Sequence, residues 1–139
     1  GGDLNWERLI PGVIKWLLEN KTPILRSDGS YVRDWVYVDD VVMAYIEVGK
    51  KLIENKVASP SYNFSSSDNY SVDYVYRKIC ELIKGEYIEP EFKITSEKEI
   101  PSQYLDSSLI ETDLNVVAKV NLDEGLEKTI NWYKDYLKL

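Results

Sequence analysis

The stretch Arg26-Ser-Asp-Gly-Ser-Tyr-Val-Arg-Asp-Trp-Val-Tyr-Val-Asp-Asp40 decides how the rest of the chain is organised. Its opening residues, Ser27-Asp-Gly-Ser30, predict a tight turn, because glycine adopts backbone conformations that residues with a Cβ atom resist. The β-branched and aromatic run Tyr31–Val38 then predicts a strand. Asp39 or Asp40 is expected to cap the helix that follows. The stretch therefore predicts a turn, a strand and a helix in succession.

Arg33 occupies an unusual position in this predicted strand. Side chains alternate between the two faces of a strand, so Arg33 shares its face with the aromatic residues Tyr31, Trp35 and Tyr37. An arginine is costly to bury without an anion, and its planar fork suits a phosphate or a carboxylate. Two interpretations remain open at this point: Arg33 pairs with an acid of the same chain on an edge strand, or it binds an anionic ligand.

Composition limits the possible functions. The chain has 139 residues, of which 44% are hydrophobic and 29% charged, as expected of one globular domain. A net charge of −7 argues against nucleic acid or an anionic membrane as the main partner. The chain contains no histidine, which excludes a Ser-His-Asp centre and a His-ligated metal. Its one cysteine, Cys80, is predicted to be a buried thiol.

The chain contains no apolar run of the ~20 residues that a membrane-spanning helix needs. No signal peptide is recognised either. A cytoplasmic protein is therefore expected.

Five segments have the apolar spacing of amphipathic helices. The first is predicted at Trp6–Asn20, with a start delayed towards Leu9 by Pro11, and the second at Asp40–Glu54. The third is capped by Ser71, runs through Lys84 and ends at Gly85. The fourth spans Ser107–Leu114, capped by Asp106 and stopped at Asn115, and the fifth runs from the Asn121–Glu124 capping box to the C-terminus.

Short strands are predicted at Pro23–Leu25, Tyr31–Val38, Tyr62–Phe64 and Glu91–Thr95, and a charged loop at Ser96–Ser102. The fold class is therefore α/β, with mainly helices and short strands.

Cofactor and catalytic patterns are weak in this sequence. The seven glycines are scattered and form neither GxGxxG nor a Walker motif, so the chain is not expected to hold a dinucleotide by that route. Tyr74 and Lys78, four residues apart on a helix, could pair a phenol with an ammonium, but a solvated helix face is the favoured interpretation. The pairs Asp39-Asp40 and Asp123-Glu124 are interpreted as helix-start carboxylates, and Glu97/Glu99 as part of a solvated loop.

Four segments together resemble a known family. They are Gly1-Gly-Asp-Leu-Asn-x-x-Arg-Leu-Ile-Pro11, the stretch from Arg26 to Tyr45, Leu105-Asp-Ser-Ser108 and Leu122-Asp-Glu-Gly-Leu-x-x-Thr-Ile-x-Trp-Tyr133. In this order they resemble the C-terminal part of extended short-chain dehydrogenases/reductases that act on nucleotide sugars, and most of all the CDP-glucose 4,6-dehydratases. The resemblance covers nearly the whole chain, although Lys50–Lys93 matches loosely.

The resemblance implies a division of labour. In the family an N-terminal Rossmann domain carries the glycine-rich NAD loop and the catalytic Tyr-x-x-x-Lys, while the C-terminal part closes over the sugar nucleotide. Residues 1–139 are therefore expected to form a single substrate-binding domain without that half. No catalytic, cofactor or metal residue is expected here, and NAD belongs to the parent enzyme. The Tyr74/Lys78 pair does not correspond to the family's catalytic pair.

The resemblance also implies site residues. Arg33 matches the arginine that contacts the diphosphate. Asn63 matches an asparagine that reaches the same phosphates, with a turn-forming role as the alternative. Arg8 lies on the helix that lines the substrate cleft, or is a solvated charge. The remaining matches are the base-packing strand Pro23, Ile24 and Leu25, and Gln103 and Tyr104 near the nucleotide end.

The implied function is the nucleotide-sugar-binding segment of an NAD-dependent 4,6-dehydratase that is inactive alone, with CDP-glucose favoured. Alternatives are an epimerase segment or a non-enzymatic binding module. The expected partners are a nucleotide sugar and the missing Rossmann domain. Self-association through an apolar patch rimmed by Trp35 and Tyr37 is also expected.

Three departures from the family pattern bear on base specificity and on the activity of a parent enzyme. They are Leu109 in place of lysine, Asp113-Leu114-Asn115 in place of Leu-Gly-Trp, and Lys98 in place of a second arginine.

Overall fold

A computed structural model describes residues 2–94 and 99–139. The chain divides into two compact units. Unit 1 comprises Gly1–Val32, Tyr70–Ser102 and Leu126–Leu139, and unit 2 comprises Arg33–Asn69 and Gln103–Gly125. Each unit is thus assembled from segments that are distant in sequence.

Helices dominate the described residues, and the strands between them are two or three residues long. The helices are α1 (Leu9–Leu18), α2 (Val38–Ile53), α3 (Val72–Lys84), α4 (Ser108–Leu114) and α5 (Leu122–Leu137). The strands are β1 (Ile24–Leu25), β2 (Val32–Asp34), β3 (Asn69–Ser71), β4 (Glu91–Phe92) and β5 (Ser102–Gln103). Strand β1 runs parallel to β4, with Ile24 opposite Glu91, and the other three strands follow the order β3-β2-β5.

Several predicted helix ends are confirmed in atomic detail. Helix α1 begins at Leu9, after the delay that Pro11 imposes. The Ser71 hydroxyl accepts a hydrogen bond from the backbone N–H of Tyr74 at 3.1 Å, and Gly85 ends α3 with a φ of 74°. The Asn121 side chain accepts from the N–H of Glu124 at 3.0 Å, as a capping residue does. The local sequence signals therefore decide these boundaries.

The turn predicted at Gly29 is also confirmed. Gly29 has a φ of 83°, and a Cβ atom there would lie 2.9 Å from the Cβ of Asp73, so both conformation and space favour glycine. The Asp28 carboxylate stabilises the turn by accepting hydrogen bonds from the backbone N–H and the hydroxyl of Ser30. These bonds lower the pKa of Asp28, the hydroxyl contributing most.

The predicted strand Tyr31–Val38 is wrong in length, because only Val32–Asp34 form β2. Helix α2 already begins at Val38, with Tyr37 as its N-cap residue, so neither Asp39 nor Asp40 caps it. The buried Asp40 carboxylate instead accepts hydrogen bonds from the backbone N–H groups of Lys119 at 3.0 Å and Val120 at 2.8 Å. A long-range tertiary contact thus overrides the local capping signal at this position.

Other strand predictions also need correction. Tyr62–Phe64 is not a strand, because both aromatic rings pack on an apolar cluster instead of pairing in a sheet. Strand β3 lies at Asn69–Ser71, where only the helix cap Ser71 was predicted, and β5 was not predicted. Strand β4 retains only the first two residues of the predicted Glu91–Thr95. Thr95 itself, Glu97, Lys98 and the start of the predicted loop Ser96–Ser102 lie outside the described residues.

Helix α4 begins one residue later than predicted, with Ser107 as its N-cap. The reason is local, because the carboxylate of Asp106 accepts from the backbone N–H of Ser108 at 2.9 Å in a turn that precedes the helix. This bond, with a smaller contribution from the Ser108 hydroxyl, lowers the pKa of Asp106. Asn115 ends the helix in the left-handed conformation, as predicted.

Unit 1 has an aromatic and aliphatic core. Helix α1 contacts both α3 and β1. Cys80 is fully buried in α3, as predicted, and the buried Tyr76 hydroxyl donates to the carbonyl of Ile88 at 2.5 Å. Burial raises the pKa of Tyr76 strongly, since the phenolate would lose its hydration. The principal core side chains of unit 1 are Val13, Ile14, Leu17, Leu25, Val75, Ile79, Leu126, Ile130 and Tyr133.

Unit 2 has a smaller core and a more exposed helix. Ala44, Ile110, Leu114 and Val116 form a buried cluster, with Val48, Tyr62 and Phe64 packed against it. Helix α2 keeps several large apolar side chains accessible, among them Val42, Met43, Tyr45, Ile46, Leu52 and Ile53. None of the helices in the part of the chain described here is both long and apolar enough to cross a bilayer.

Asp40 offers a test of the long-range contact in unit 2. We expect Asp40→Ala to lower the free energy of unfolding by about 2–4 kcal/mol, because two backbone donors lose a charged acceptor. Urea unfolding followed by far-UV circular dichroism measures this change. Asp39→Ala at the exposed neighbouring position is the matched control and should change stability by under about 0.5 kcal/mol. Equal effects of the two substitutions would contradict the assigned role of Asp40.

Candidate functional site

In unit 1 a cavity of about 290 Å³ brings together Arg8, Ile24 and Leu25, three of the residues assigned to substrate by resemblance. The rest of its lining consists of Glu7, Leu9, Arg26, Ser27, Val72 and Glu99. Aliphatic side chains thus stand beside two guanidinium groups and two carboxylates. A few convergent polar groups on an apolar wall are the usual construction of a small-molecule site. Pro23 precedes this wall and is itself fully buried.

Each arginine of this cavity has an acidic partner. The Nη1 atom of Arg8 lies 3.0 Å from Oδ2 of Asp3, and the Arg8 side chain is 71% exposed. Arg26 donates from Nη1 to the backbone carbonyl of Glu7 and from Nη2 to its carboxylate at 3.3 Å. The double contact fixes the plane of the Arg26 guanidinium, whereas one exposed ion pair holds Arg8 loosely.

In unit 2 the strand order places Arg33 on β2 next to Gln103 on β5. Arg33 is half-buried, whereas Gln103 and Tyr104 are exposed. Oδ2 of Asp34 accepts a hydrogen bond from the backbone N–H of Leu105 at 3.3 Å, which ties the segment that follows β5 to β2. The structure therefore places Arg33 and Gln103 on neighbouring strands, with Tyr104 directly after the second of them.

Asn63 is the fourth assigned residue in unit 2. It is exposed and lies between Tyr62 and Phe64, whose rings pack on the buried cluster of Ala44 and Ile110. The eight assigned residues thus fall into two sets, with Arg8, Pro23, Ile24 and Leu25 in unit 1 and Arg33, Asn63, Gln103 and Tyr104 in unit 2.

Sequence reasoning missed Arg26 and Glu7, although both line the cavity with Ile24. A period-2 pattern was available, because Ile24 and Arg26 are two residues apart and extended chain places such side chains on one face. The acidic partner could not be found in this way, since Glu7 lies 19 residues upstream.

Of the Tyr74/Lys78 pair, Tyr74 is exposed, as the solvated interpretation expects, whereas Lys78 is half-buried. Tyr74 is exposed and stacks on Tyr70, with ring centroids 4.6 Å apart. The Lys78 ammonium lies 3.7 Å from the Glu81 carboxylate. Over residues 2–94 and 99–139, no group of three or more histidine, cysteine, aspartate or glutamate side chains is arranged to hold a metal ion.

Comparison with known proteins shows which family and which enzymes this chain is similar to. Residues 2–64 match the model of the NAD dependent epimerase/dehydratase family, a segment that includes both Arg8 and Arg33. Over 91% of the chain, UDP-glucuronate 4-epimerase of Thermodesulfobacterium geofontis is 28% identical, and a probable dTDP-glucose 4,6-dehydratase of Sinorhizobium fredii is 30% identical. Residues 2–64 of this chain are thus similar to the NAD-dependent epimerase/dehydratase family.

Solved structures of extended short-chain dehydrogenases/reductases have the same fold. UDP-glucose 4-epimerase of Thermotoga maritima, solved with UDP-glucose, aligns with a TM-score of 0.82 and 26% identity over 94% of the chain. dTDP-glucose 4,6-dehydratase of Bacillus anthracis, solved with NAD, aligns with a TM-score of 0.79 and 23% identity over 95% of the chain, which shows the fold alone. The predicted α/β fold class is therefore confirmed.

The chain matches only part of each of these family members. It spans 38% of the T. geofontis protein and 37% of the S. fredii protein. Its alignment with each of the two solved structures covers 40% of that chain. The activity of those whole proteins is therefore not assigned to this chain by similarity.

Asp34 allows a test of the contact that places Gln103 and Tyr104 beside β2. We expect Asp34→Ala to increase hydrogen exchange at the Leu105 amide by roughly 5- to 10-fold, because loss of a charged hydrogen bond costs about 1–1.5 kcal/mol at an exposed site. NMR-detected exchange measures this change. Asp34→Asn keeps an acceptor oxygen and should retain most of the protection. Unchanged exchange in both variants would contradict the contact.

Proposed function

We propose that this chain is the nucleotide-sugar-binding segment of an NAD-dependent nucleotide-sugar 4,6-dehydratase. The family match and the half-buried position of Arg33 on β2 support this proposal. An arginine fork is the side chain best suited to a diphosphate, since it offers several N–H donors in one plane. Gln103 on the neighbouring strand and Tyr104 add polar groups beside it.

The proposal also covers the base of the nucleotide sugar and the type of reaction. Similarity of the Arg26–Tyr45 stretch to CDP-glucose dehydratases favours CDP-glucose, whereas the relatives named above carry the names of UDP-sugar and dTDP-glucose enzymes. An epimerase is the second candidate, and the T. maritima UDP-glucose 4-epimerase alignment favours it. The two reactions differ in product mass, because only a dehydratase removes water.

The described residues do not fit NAD. A dinucleotide diphosphate needs a strand, a glycine-rich turn and a helix in succession. Here β2 leads to α2 through Trp35-Val36-Tyr37, β3 is followed directly by α3, and β5 leads to α4 through residues 104–107. None of these three junctions contains glycine. We therefore propose that residues outside this chain hold NAD, and no chemical step through NAD is assigned to these residues.

The proposed role of this chain is binding and orientation. Arg33 would offset the diphosphate charge, and contacts to the nucleotide would hold the sugar in position for chemistry that occurs elsewhere. Binding energy from such remote groups contributes to catalysis only when the reacting centre is present.

Substitution of Arg33 tests the proposal. We expect Arg33→Ala to weaken binding of CDP-glucose, or of whichever nucleotide sugar binds best, by about 10- to 150-fold, because a charged hydrogen bond contributes about 1.5–3 kcal/mol. Isothermal titration calorimetry with CDP-, UDP- and dTDP-glucose measures this loss. Arg33→Lys keeps the charge without the fork, so it should recover only part of the affinity.

Arg77→Ala is the control for this series. Arg77 is an exposed arginine that already pairs with Asp73 at 2.7 Å on α3. Its removal should leave nucleotide-sugar affinity within about twofold of the original. If the unsubstituted chain bound none of the three nucleotide sugars, the non-enzymatic binding module would become the better interpretation.

Turnover provides a separate test. We expect the purified 139-residue chain, supplied with NAD⁺ and CDP-, UDP- or dTDP-glucose, to release no 4-keto sugar and no epimer. The reason is that Tyr74 stacks on Tyr70 and Lys78 lies near the Glu81 carboxylate, so neither corresponds to the family's catalytic pair. Mass spectrometry detects loss of water, and chromatography detects the epimer. Either product above the enzyme-free control would contradict this expectation.

A further inference from the structure

Helix α2 is apolar on two faces. On its inner face, Ala44 belongs to the buried cluster of unit 2 and Val48 packs against that cluster. On its outer face, large apolar side chains stay accessible to solvent, and those of Tyr45 and Ile53 are 78% and 84% exposed. A helix that is apolar all round is normally covered on all sides. The outer face of α2 therefore has the composition of an interface.

The residues of this outer face have a regular spacing. Five of them follow one another at steps of four, three, four and three, and we term them the outer stripe. They are Val38, Val42, Tyr45, Gly49 and Leu52. The four apolar side chains of the stripe are all exposed. Alternating steps of three and four keep residues in one line along a helix and form the seam by which two helices pack together. The outer stripe is thus suited to contact a second helix.

Gly49 provides a hollow in the outer stripe. Glycine within a helix is less favourable than alanine, because it loses more conformational freedom on folding. A Cβ atom built at Gly49 would meet no atom of the described residues within 4 Å, so packing against them does not require glycine here. Glycine does allow another chain to approach the backbone closely. A side chain of a second helix can therefore be seated at this position.

The outer stripe is complementary to itself when two copies of α2 run antiparallel. The midpoint of the helix Val38–Ile53 falls between Tyr45 and Ile46, and a two-fold axis at this point sets Val42 of one copy opposite Gly49 of the other. The same axis sets Val38 opposite Ile53. Each copy thus supplies one valine and one hollow, which is the self-complementarity that a two-fold interface needs.

The charges of α2 favour the same direction. Its first turn carries the acidic residues Asp39 and Asp40, and its last turn carries Lys50 and Lys51. A parallel pair would bring the two acidic ends together and the two basic ends together, whereas an antiparallel pair joins opposite charges.

Asp39 and Lys50 also lie on the same edge of the outer stripe. Both are exposed, and their separation along the chain is close to three full helical turns. The two-fold axis brings Asp39 of one copy within about 3 Å of Lys50 of the other along the helix direction, at 1.5 Å per residue. Lys50 already contacts Glu47 at 2.7 Å, so its ammonium would be shared between two carboxylates.

We propose that the outer face of α2 is a docking surface for a second copy of this chain, with the two α2 helices antiparallel and Val42 of each copy seated at Gly49 of the other. This surface differs from the patch rimmed by Trp35 and Tyr37 that the sequence predicts, since those two side chains are half-buried. The inference goes beyond the proposed function and does not depend on nucleotide-sugar binding.

Sedimentation equilibrium of the 139-residue chain, from micromolar to millimolar concentration, tests the surface. We expect an equilibrium between monomer and dimer. Tyr45→Glu should raise the dissociation constant of the dimer by about 10-fold or more, because a carboxylate would be buried in an apolar contact. Leu109→Glu is the matched control, since Leu109 is an exposed apolar residue of α4 in the same unit, and it should change the constant by less than about twofold. Circular dichroism shows whether each variant keeps its fold.

Cysteine cross-linking tests the antiparallel arrangement. A mixture of Val42→Cys and Gly49→Cys chains should form a disulfide-linked dimer on mild oxidation, because these two positions face each other. Val42→Cys alone should form little, because its two copies lie about 10 Å apart along the helix direction, too far for a disulfide. Cys80 is fully buried and should not contribute.

Three results would overturn the proposal. The first is a chain that stays monomeric at every concentration, in which case a different partner must cover α2. The second is a dimer that Tyr45→Glu leaves intact or that Leu109→Glu weakens equally, which would place the contact elsewhere. The third is efficient cross-linking of Val42→Cys alone without cross-linking of the mixture, which would exclude the antiparallel arrangement. Nucleotide-sugar binding is measured separately, so the proposed function stands or falls by its own test.

Discussion

Carboxylate-to-backbone hydrogen bonds are the constraint on which unit 2 depends. Its two segments, Arg33–Asn69 and Gln103–Gly125, share only short stretches of strand and therefore few ladder hydrogen bonds. Three aspartates of the first segment accept from backbone N–H groups of the second. Asp34 binds the N–H of Leu105, Asp40 those of Lys119 and Val120, and Asp68 that of Leu122 at 3.1 Å. A charged acceptor makes a stronger bond than a carbonyl does, so few contacts suffice to join the segments.

The same constraint positions the proposed anion site. Asp34 is the chain neighbour of Arg33, and its bond to Leu105 fixes the segment that begins with Gln103 and Tyr104. The placement of Arg33 thus follows from the way in which unit 2 is held together.

The sequence was most informative where structure is decided locally. Ser71, Gly85 and Asn121 act within one helical turn, and each acts as predicted. Predictions failed where a distant contact competes with the local signal, as at Asp40, whose side chain binds backbone roughly 80 residues away instead of capping α2. The aromatic pair Tyr62 and Phe64 resembles a strand, but packing on the buried cluster of unit 2 determines its conformation.

The site was predicted only in part for the same reason. The strand pattern singled out Arg33 and predicted the strand Pro23–Leu25, and the resemblance assigned them to the substrate. The structure places Arg33 on the strand next to Gln103, and Ile24 and Leu25 in a cavity with Arg26. The period-2 pattern of an extended chain would have put the Arg26 side chain on the same face as that of Ile24. Nothing in the local pattern indicated that Glu7 would orient its guanidinium, because the two residues meet only through the packing of unit 1.

Charge separates the roles of the two sets of residues. The unit 1 cavity is lined by two arginines and two glutamates, so their formal charges cancel. A cavity without net charge does little to attract a diphosphate, especially in a chain of net charge −7. The proposed diphosphate contact is therefore better assigned to Arg33 than to the unit 1 cavity.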